Sequence, residues 1–335
     1  MISLMAEIVA DGVRTPSSAA VAPRESAVYA LGVRRVSALP NLITLGNAFC
    51  GLLAIAKSID ALAVGASDPL TFYRKLETAC LLIFLGMVFD ALDGKVARIT
   101  GGASQFGAQL DSFADAITFG CAPALLAKVL IEHEGPLLGY HGNPRLHFIA
   151  CAAFALMAVL RLARFNLETT PDDKAHSEFR GLPSPAAAAA LVSTLLLYLV
   201  LRRPELETDD GTPTPMGRLF SLVPDLRLAS LPDWLLPTIL PAIAVLMPCL
   251  GFLMVSRVRY PHAVSMLTKK GSFFTLVYLV FGAFLLFSAP IPVLFLAAHA
   301  FVWSGVVRRL LRSKPPSPPH AGAARDASLE RAGPR

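Results

Sequence analysis

Four aspartates in one short stretch have the types and spacing to do chemistry. Asp90 and Asp93 stand three residues apart, and Asp111 and Asp115 four apart. On a helix either spacing sets both carboxylates on one face. Between the pairs, Thr100, Gly101, Gly102, Ala103 and Ser104 favour a turn. The stretch therefore reads as two helices in a hairpin, each presenting two carboxylates to the other. Gly94 and Ala97 leave room beside the first pair, and Gly107 lies one turn before Asp111. Arg98, one turn beyond Gly94, can meet a phosphate at the mouth of such a cavity. Carboxylates for two metal ions, a cation and an open floor suit phosphoryl transfer, in which metals stabilise the attacking and leaving oxygens. Ligands that are all oxygen favour Mg2+, Mn2+ or Ca2+ over zinc.

The elements that must position these groups are apolar. The run from Thr78 to Phe89 spans about 18 Å at a helical rise of about 1.5 Å per residue. The run from Ala116 to Ile131, with Lys128 within it, spans about 24 Å by the same rise. A hydrocarbon core is about 30 Å thick, so both pairs fall below the membrane surface at similar depth. An aspartate at the centre of a spanning helix costs about 2.5–3.5 kcal/mol, and four cost on the order of 10 kcal/mol. A water-filled cavity holding divalent metal is the simplest compensation.

Composition agrees with this setting. Of the 335 residues, 54% are hydrophobic and only 16% charged, which describes a polytopic membrane protein of all-α class. The net charge of +6 fits cytoplasmic loops better than a nucleic-acid surface. Cys50, Cys80, Cys121, Cys151 and Cys249 lie in or beside apolar runs without C-x-x-C spacing and read as small buried hydrophobes.

Eight spans are expected, near residues 40–58, 77–98, 107–131, 146–165, 183–201, 234–256, 272–288 and 290–307. The domain reading is a cytoplasmic N-terminal segment (1–39), a transmembrane catalytic domain (40–307) and a basic, proline-rich, disordered cytoplasmic tail (308–335). No signal peptide is apparent in the N-terminal segment. Its string from Ser26 to Leu39 reads either as an interfacial helix or as a linker with topogenic arginines. Pro237, Pro241 and Pro248 are expected to kink the sixth span. Lys95, Arg98, Arg257, Arg259, Lys269 and Lys270 gather on one side, whereas the segment 202–233 mixes arginines with six acids. That bias puts both termini, and the mouth of the aspartate hairpin, in the cytoplasm.

The full pattern is Asp90-x-x-Asp93-Gly94-x-x-Ala97-Arg98, eight residues, Gly107-x-x-x-Asp111-x-x-x-Asp115. It resembles, position for position, the signature of the CDP-alcohol phosphotransferase family. The resemblance implies an integral membrane enzyme of a prokaryotic-type cytoplasmic membrane, with a six-helix core and here two further C-terminal transmembrane helices. It implies a homodimer whose partners are lipid and small molecules, not nucleic acid. By the family's motif, Asp90, Asp93 and Asp111 bind one divalent cation, Mg2+ or Mn2+, and Asp90, Asp111 and Asp115 a second. Asp115 is also the implied catalytic base, and Gly94, Ala97, Arg98 and Gly107 line the CDP pocket. Asn41 and Thr44 are read either as nucleotide contacts or as helix-start residues.

Four further segments resemble the bacterial and archaeal phosphatidylserine synthases of this superfamily: Pro40 to Ile55, Ala103 to Ala124, Arg161 to Asn166, and Phe179 to Ala188. The implied reaction joins CDP-diacylglycerol and L-serine to give phosphatidylserine and CMP. Serine brings a carboxylate, for which arginine offers a forked partner. Arg161 and Arg164 share a helix face and Arg180 opens the next span, so these are candidate serine contacts, with Asn166 as a polar partner. The plainer reading makes them topogenic anchors at helix ends. Glycerol 3-phosphate, an inositol phosphate or choline stay open as acceptors by spacing alone. A cation or proton transporter is the reading from another class, but it has no use for the small residues and Arg98 at these spacings.

Overall fold

The computed structural model describes residues 38–65, 67–100, 105–168, 179–202, 234–260 and 273–312; for 168, 179–180, 273–279, 281 and 312 only the backbone is described. The N-terminal segment, its interfacial string and the tail from 313 lie outside these residues. The described chain is helical: α1 Ala38–Val64, α2 Pro69–Thr100, α3 Gln105–Asp115, α4 Ala122–Leu137, α5 Pro144–Glu168, α6 Ser184–Arg202, α7 Leu235–Val255, α8 Phe273–Ser288 and α9 Pro290–Arg312. A π-helical segment, Ala116–Cys121, joins α3 to α4, so the two form one continuous rod.

Among the described residues, six rods are long and apolar enough to cross a membrane: α1, α3 through α4, α5, α6, α7 and α9. The chain is thus an all-α polytopic membrane protein. Of the expected spans, α2 carries Arg74, Lys75 and Glu77 at one end and Asp90 to Arg98 at the other, and α8 has only 16 residues.

Helix boundaries run past the expected apolar limits. The second was expected from residue 77, yet α2 starts at Pro69 because Asp68 caps it. Its carboxylate accepts the N–H and hydroxyl of Thr71, bonds that hold its carboxyl below the ordinary range. Pro69 occupies the first turn, where its missing N–H loses nothing. The helical core continues there, since Phe72, Tyr73 and Leu76 are buried.

α1 packs along α2 through a stripe of small or polar residues: Thr44, Asn47, Gly51, Ala54, Ser58 and Ala61 are all buried. Its opposite face presents Leu42, Leu45, Phe49 and Leu52 outward. Apolar-out and small-in is what a bilayer asks of a helix, because close backbone approach replaces the hydrophobic drive for helix pairing. α6 is central and buried on nearly all sides, touching α2, α4, α7 and α9. α7 packs on α5, where Gly251 approaches Met157 and Phe154. Pro241 and Pro248 sit inside α7 without ending it.

Two details were not expected. The π segment is one. The other is a short antiparallel pair, β1 (Phe179–Arg180) with β2 (Arg259–Tyr260), in the register Phe179 to Tyr260 and Arg180 to Arg259. Gly181 follows at φ +89°, and a Cβ there would lie 2.2 Å from the Met254 carbonyl oxygen. Its N–H donates to the Val258 carbonyl and that of Leu182 to the Leu253 carbonyl. This clip ties the start of α6 to the end of α7. Of the cysteines, Cys50 and Cys80 are buried as expected, whereas Cys121 and Cys249 face outward from the helix bundle.

Candidate active site

The two aspartate pairs meet. Carboxylate oxygens of Asp90, Asp93 and Asp111 all lie within 4.8 Å of one another. Asp90 and Asp93 come from the last third of α2 and Asp111 from α3, on the two sides of the expected turn; residues 101–104 are outside the described part. The Thr44 hydroxyl donates to Asp93 Oδ2 at 2.7 Å. That same hydroxyl lies 3.1 Å from the Pro40 carbonyl oxygen, and with one proton it serves the carboxylate first.

Three carboxylates this close repel one another by about 3 kcal/mol per ionised pair at an effective dielectric of about 20. Asp111 Oδ1 is buried and has no hydrogen-bond partner among the described residues. Such an orphan is costly without a ligand. A donor set made only of oxygen, with one atom left unsatisfied, fits a hard divalent cation held by Asp90, Asp93 and Asp111.

Asp115 stands outside that three-carboxylate group. It is 7% exposed, and its Oδ1 accepts a hydrogen bond from Asn47 Nδ2 at 3.2 Å. It remains within electrostatic range of Asp90 and Asp111. The opposing charge comes from Arg161 on α5, which acts on both Asp115 and Asp90. One guanidinium nitrogen of Arg161 donates to Ser184 Oγ at 2.9 Å, while its Nε is buried without a partner among the described residues.

The other expected site residues fall as follows. Gly94 is exposed, and a Cβ there would meet nothing within 4 Å among the described residues, so they leave the floor beside Asp93 open. Ala97 and Gly107 are half-buried and Arg98 is exposed beyond them. Asn41 is half-buried one turn before Thr44. Arg164 donates to the Val255 carbonyl oxygen at the end of α7 at 3.3 Å. Asn166 exchanges hydrogen bonds with Ser112, the neighbour of Asp111. Those two therefore also tie α5 to α7 and α3. Arg180 has its backbone in β1, and its side chain lies outside the described ones.

Asn47, Thr118 and Ser184 also belong to the site's framework, although their types and spacing did not single them out. The signal for Asn47 was available: a polar side chain three residues after Thr44 in an otherwise apolar span. Thr118 carried no such signal, because its position depends on the π segment.

Comparison with known proteins agrees with this geometry. The chain is 35% identical over 161 residues to the CDP-diacylglycerol–serine O-phosphatidyltransferase of Bacillus subtilis, a match covering 48% of this chain and 76% of that protein. The protein of the same name from Helicobacter pylori is 35% identical over 161 residues, covering 47% of this chain and 57% of its own length. The archaetidylserine synthase of Methanothermobacter thermautotrophicus is 37% identical over 164 residues, covering 48% of this chain and 58% of that protein. The CDP-alcohol phosphatidyltransferase family model matches residues 37–209, just over half of the chain and a stretch that holds all four aspartates. The chain belongs to the CDP-alcohol phosphatidyltransferase family.

Proposed function

We propose that this chain transfers the phosphatidyl group of CDP-diacylglycerol to the hydroxyl of L-serine, giving phosphatidylserine and CMP. The observation that carries the proposal is the convergence of Asp90, Asp93 and Asp111 on one point inside an apolar bundle. The names of the relatives at 32–37% identity point to a seryl acceptor.

In this reading the serine oxygen bonds to the phosphorus that carries the diacylglycerol. The bond from that phosphorus to the bridging oxygen of the diphosphate breaks, CMP leaves with that oxygen, and the serine hydroxyl proton passes to Asp115. Divalent cations, Mg2+ or Mn2+, when held by Asp90, Asp93 and Asp111 and by Asp90, Asp111 and Asp115, supply the charge that the diphosphate oxygens need. Thr44 holds Asp93 in its rotamer. Gly94, Ala97 and Gly107 leave the space that the nucleotide enters, with Asn41 beside it, and Arg98 faces the phosphates from the rim. Arg161 is the first candidate for the serine carboxylate: its charge acts on the aspartates and its Nε lacks a partner among the described residues. Arg164, Asn166 and Arg180 form the outer part of that subsite. The mouth, both termini and the basic turn at Lys95 and Arg98 face the cytoplasm, and the enzyme is a homodimer.

The test is an acceptor panel. Purified protein in vesicles containing CDP-diacylglycerol and Mg2+ or Mn2+ is offered serine, glycerol 3-phosphate, an inositol phosphate and choline in turn. CMP release with serine alone supports the proposal. Release only with another acceptor moves the substrate, and ion flux without any release removes the enzyme reading.

A further inference from the structure

Asp115 is held by a side chain that lies outside the aspartate motif. We infer that Asn47 is a positioning residue for the transfer: its amide fixes the Asp115 carboxylate so that one oxygen stays turned to the attacking hydroxyl. The inference rests on the proposed role of Asp115 as the group that takes the acceptor's proton.

Asn47 is fully buried on the inner stripe of α1. Its Nδ2 makes the only hydrogen bond to the Asp115 side chain among the described residues. An ionised carboxylate accepts and cannot donate, so the NH2 side of the amide must be the side that faces it. Occupying one lone pair of Oδ1 in this way leaves Oδ2, with its two lone pairs, for the cation and the substrate proton. Without that bond, the Asp115 carboxylate keeps no side-chain hydrogen bond among the described residues.

Asn47 is itself locked from the helix that carries Asp115. Its backbone carbonyl accepts the Thr118 hydroxyl at 2.9 Å. Thr118 lies in the π segment that begins directly after Asp115. Two glycines make room for the contact. A Cβ at Gly51 would stand 2.4 Å from Thr118 Oγ1 and 2.8 Å from its Cα. One at Gly86 would stand 2.6 Å from Thr118 Cγ2 and 3.0 Å from Asn47 Oδ1. Glycines on α1 and α2 thus admit Thr118 to the backbone of Asn47, and Asn47 reaches back to Asp115. The loop of contacts closes within four residues of the rod from Asp115 to Thr118, and its geometry is set by backbone as much as by side chains. π turns of this kind are frequent where a helix must serve a functional group.

The experiment uses the full chain in vesicles with serine and CDP-diacylglycerol. Asn47→Leu keeps the side-chain shape and removes the donor. Thr118→Val keeps shape and removes only the hydroxyl that braces Asn47. A misplacement of about 1 Å at a reacting group costs up to about a hundredfold in rate. Asn47→Leu is therefore expected to lower kcat by about tenfold to a hundredfold, and Thr118→Val by a few-fold, with the KM for CDP-diacylglycerol within about twofold of the parent. A role in packing alone would lower the melting temperature and leave kcat of the folded fraction intact. If a folded Asn47→Leu enzyme keeps kcat within about twofold, the inference is overturned. Should that variant fail to fold, an unchanged kcat in Thr118→Val overturns it instead. Failure of the underlying reading shows separately: the unmodified protein would then give no serine-dependent CMP, or Asp115→Asn would remain fully active.

Discussion

At the scale of single residues, the site divides into groups that meet the substrate and groups that hold them. In the proposed reaction Asp115 belongs to the first set, and Asp115→Asn is expected to lower kcat by about 10²- to 10⁴-fold, the usual worth of a positioned proton acceptor. Binding of CDP-diacylglycerol, measured by displacement of a labelled analogue, should change little; full activity in the variant would exclude the base role. Arg161 and Arg164 looked equivalent in the sequence, three residues apart on one face. Their surroundings separate them. Arg161 lies within electrostatic range of Asp115 and Asp90, and its Nε has no partner among the described residues, whereas Arg164 donates to a carbonyl at the end of α7. Arg161→Ala should therefore raise the KM for serine by tenfold or more, about what a lost charge-assisted pair is worth, with a smaller change for the lipid donor. Equal effects on both KM values would reduce Arg161 to a structural tie.

At the scale of elements, two clamps fix the ends of the helices. At the site end, Gly181 at φ +89° brings β1 against the last turn of α7. At the other end, Glu134 of α4 is fully buried and binds three partners: Tyr73 of α2, and Tyr198 and Arg202 of α6. Removing the charge of a buried, fully paired carboxylate strands its partners at a cost of about 3–5 kcal/mol. Glu134→Gln keeps the shape and part of the bonding, so the loss should fall at or below the lower figure. It should show as a lower melting temperature in detergent with an unchanged KM for serine. An unchanged melting temperature would mean that Glu134 is not a clamp. Neither clamp was legible in the sequence. Glu134 sits in a string, EHEG, that reads as a polar helix end, and its partners lie 61, 64 and 68 residues away. The meeting of the aspartates of α2 and α3 was legible because its information is local: two spacings on helices and a glycine-rich string between them. The π segment was not, since the string AITFGC is an ordinary helical run until Gly51 and Gly86 make space for Thr118.

At the scale of the whole molecule, the eight apolar runs in the sequence correspond, among the described residues, to eight helical rods, six of them long and apolar enough to span a bilayer. Apolarity marks the middle of each rod and is blind to its ends, where charged residues continue the helix. Hence α1 and α2 extend beyond the limits read from hydropathy. α8 and α9 lie beyond the family match, yet α9 is fitted to the bundle. Gly305 approaches the Tyr260 ring and the Tyr260 hydroxyl donates to the Val302 carbonyl. Sidedness is testable on intact cells with a membrane-impermeant maleimide. Arg98→Cys, at the aspartate end, should be protected, and His141→Cys, in the turn between α4 and α5, should be labelled. The reverse pattern would invert the topology.

The transfer itself is tested most directly by counting products. Protein in vesicles with CDP-diacylglycerol, labelled serine and Mn2+ should yield labelled phosphatidylserine and CMP in equal amounts. Chelation should stop both products, and Asp90→Asn should lower both together. CMP formed without labelled lipid, or labelled lipid formed as readily after chelation, would contradict a metal-assisted transfer to serine at the three converging carboxylates.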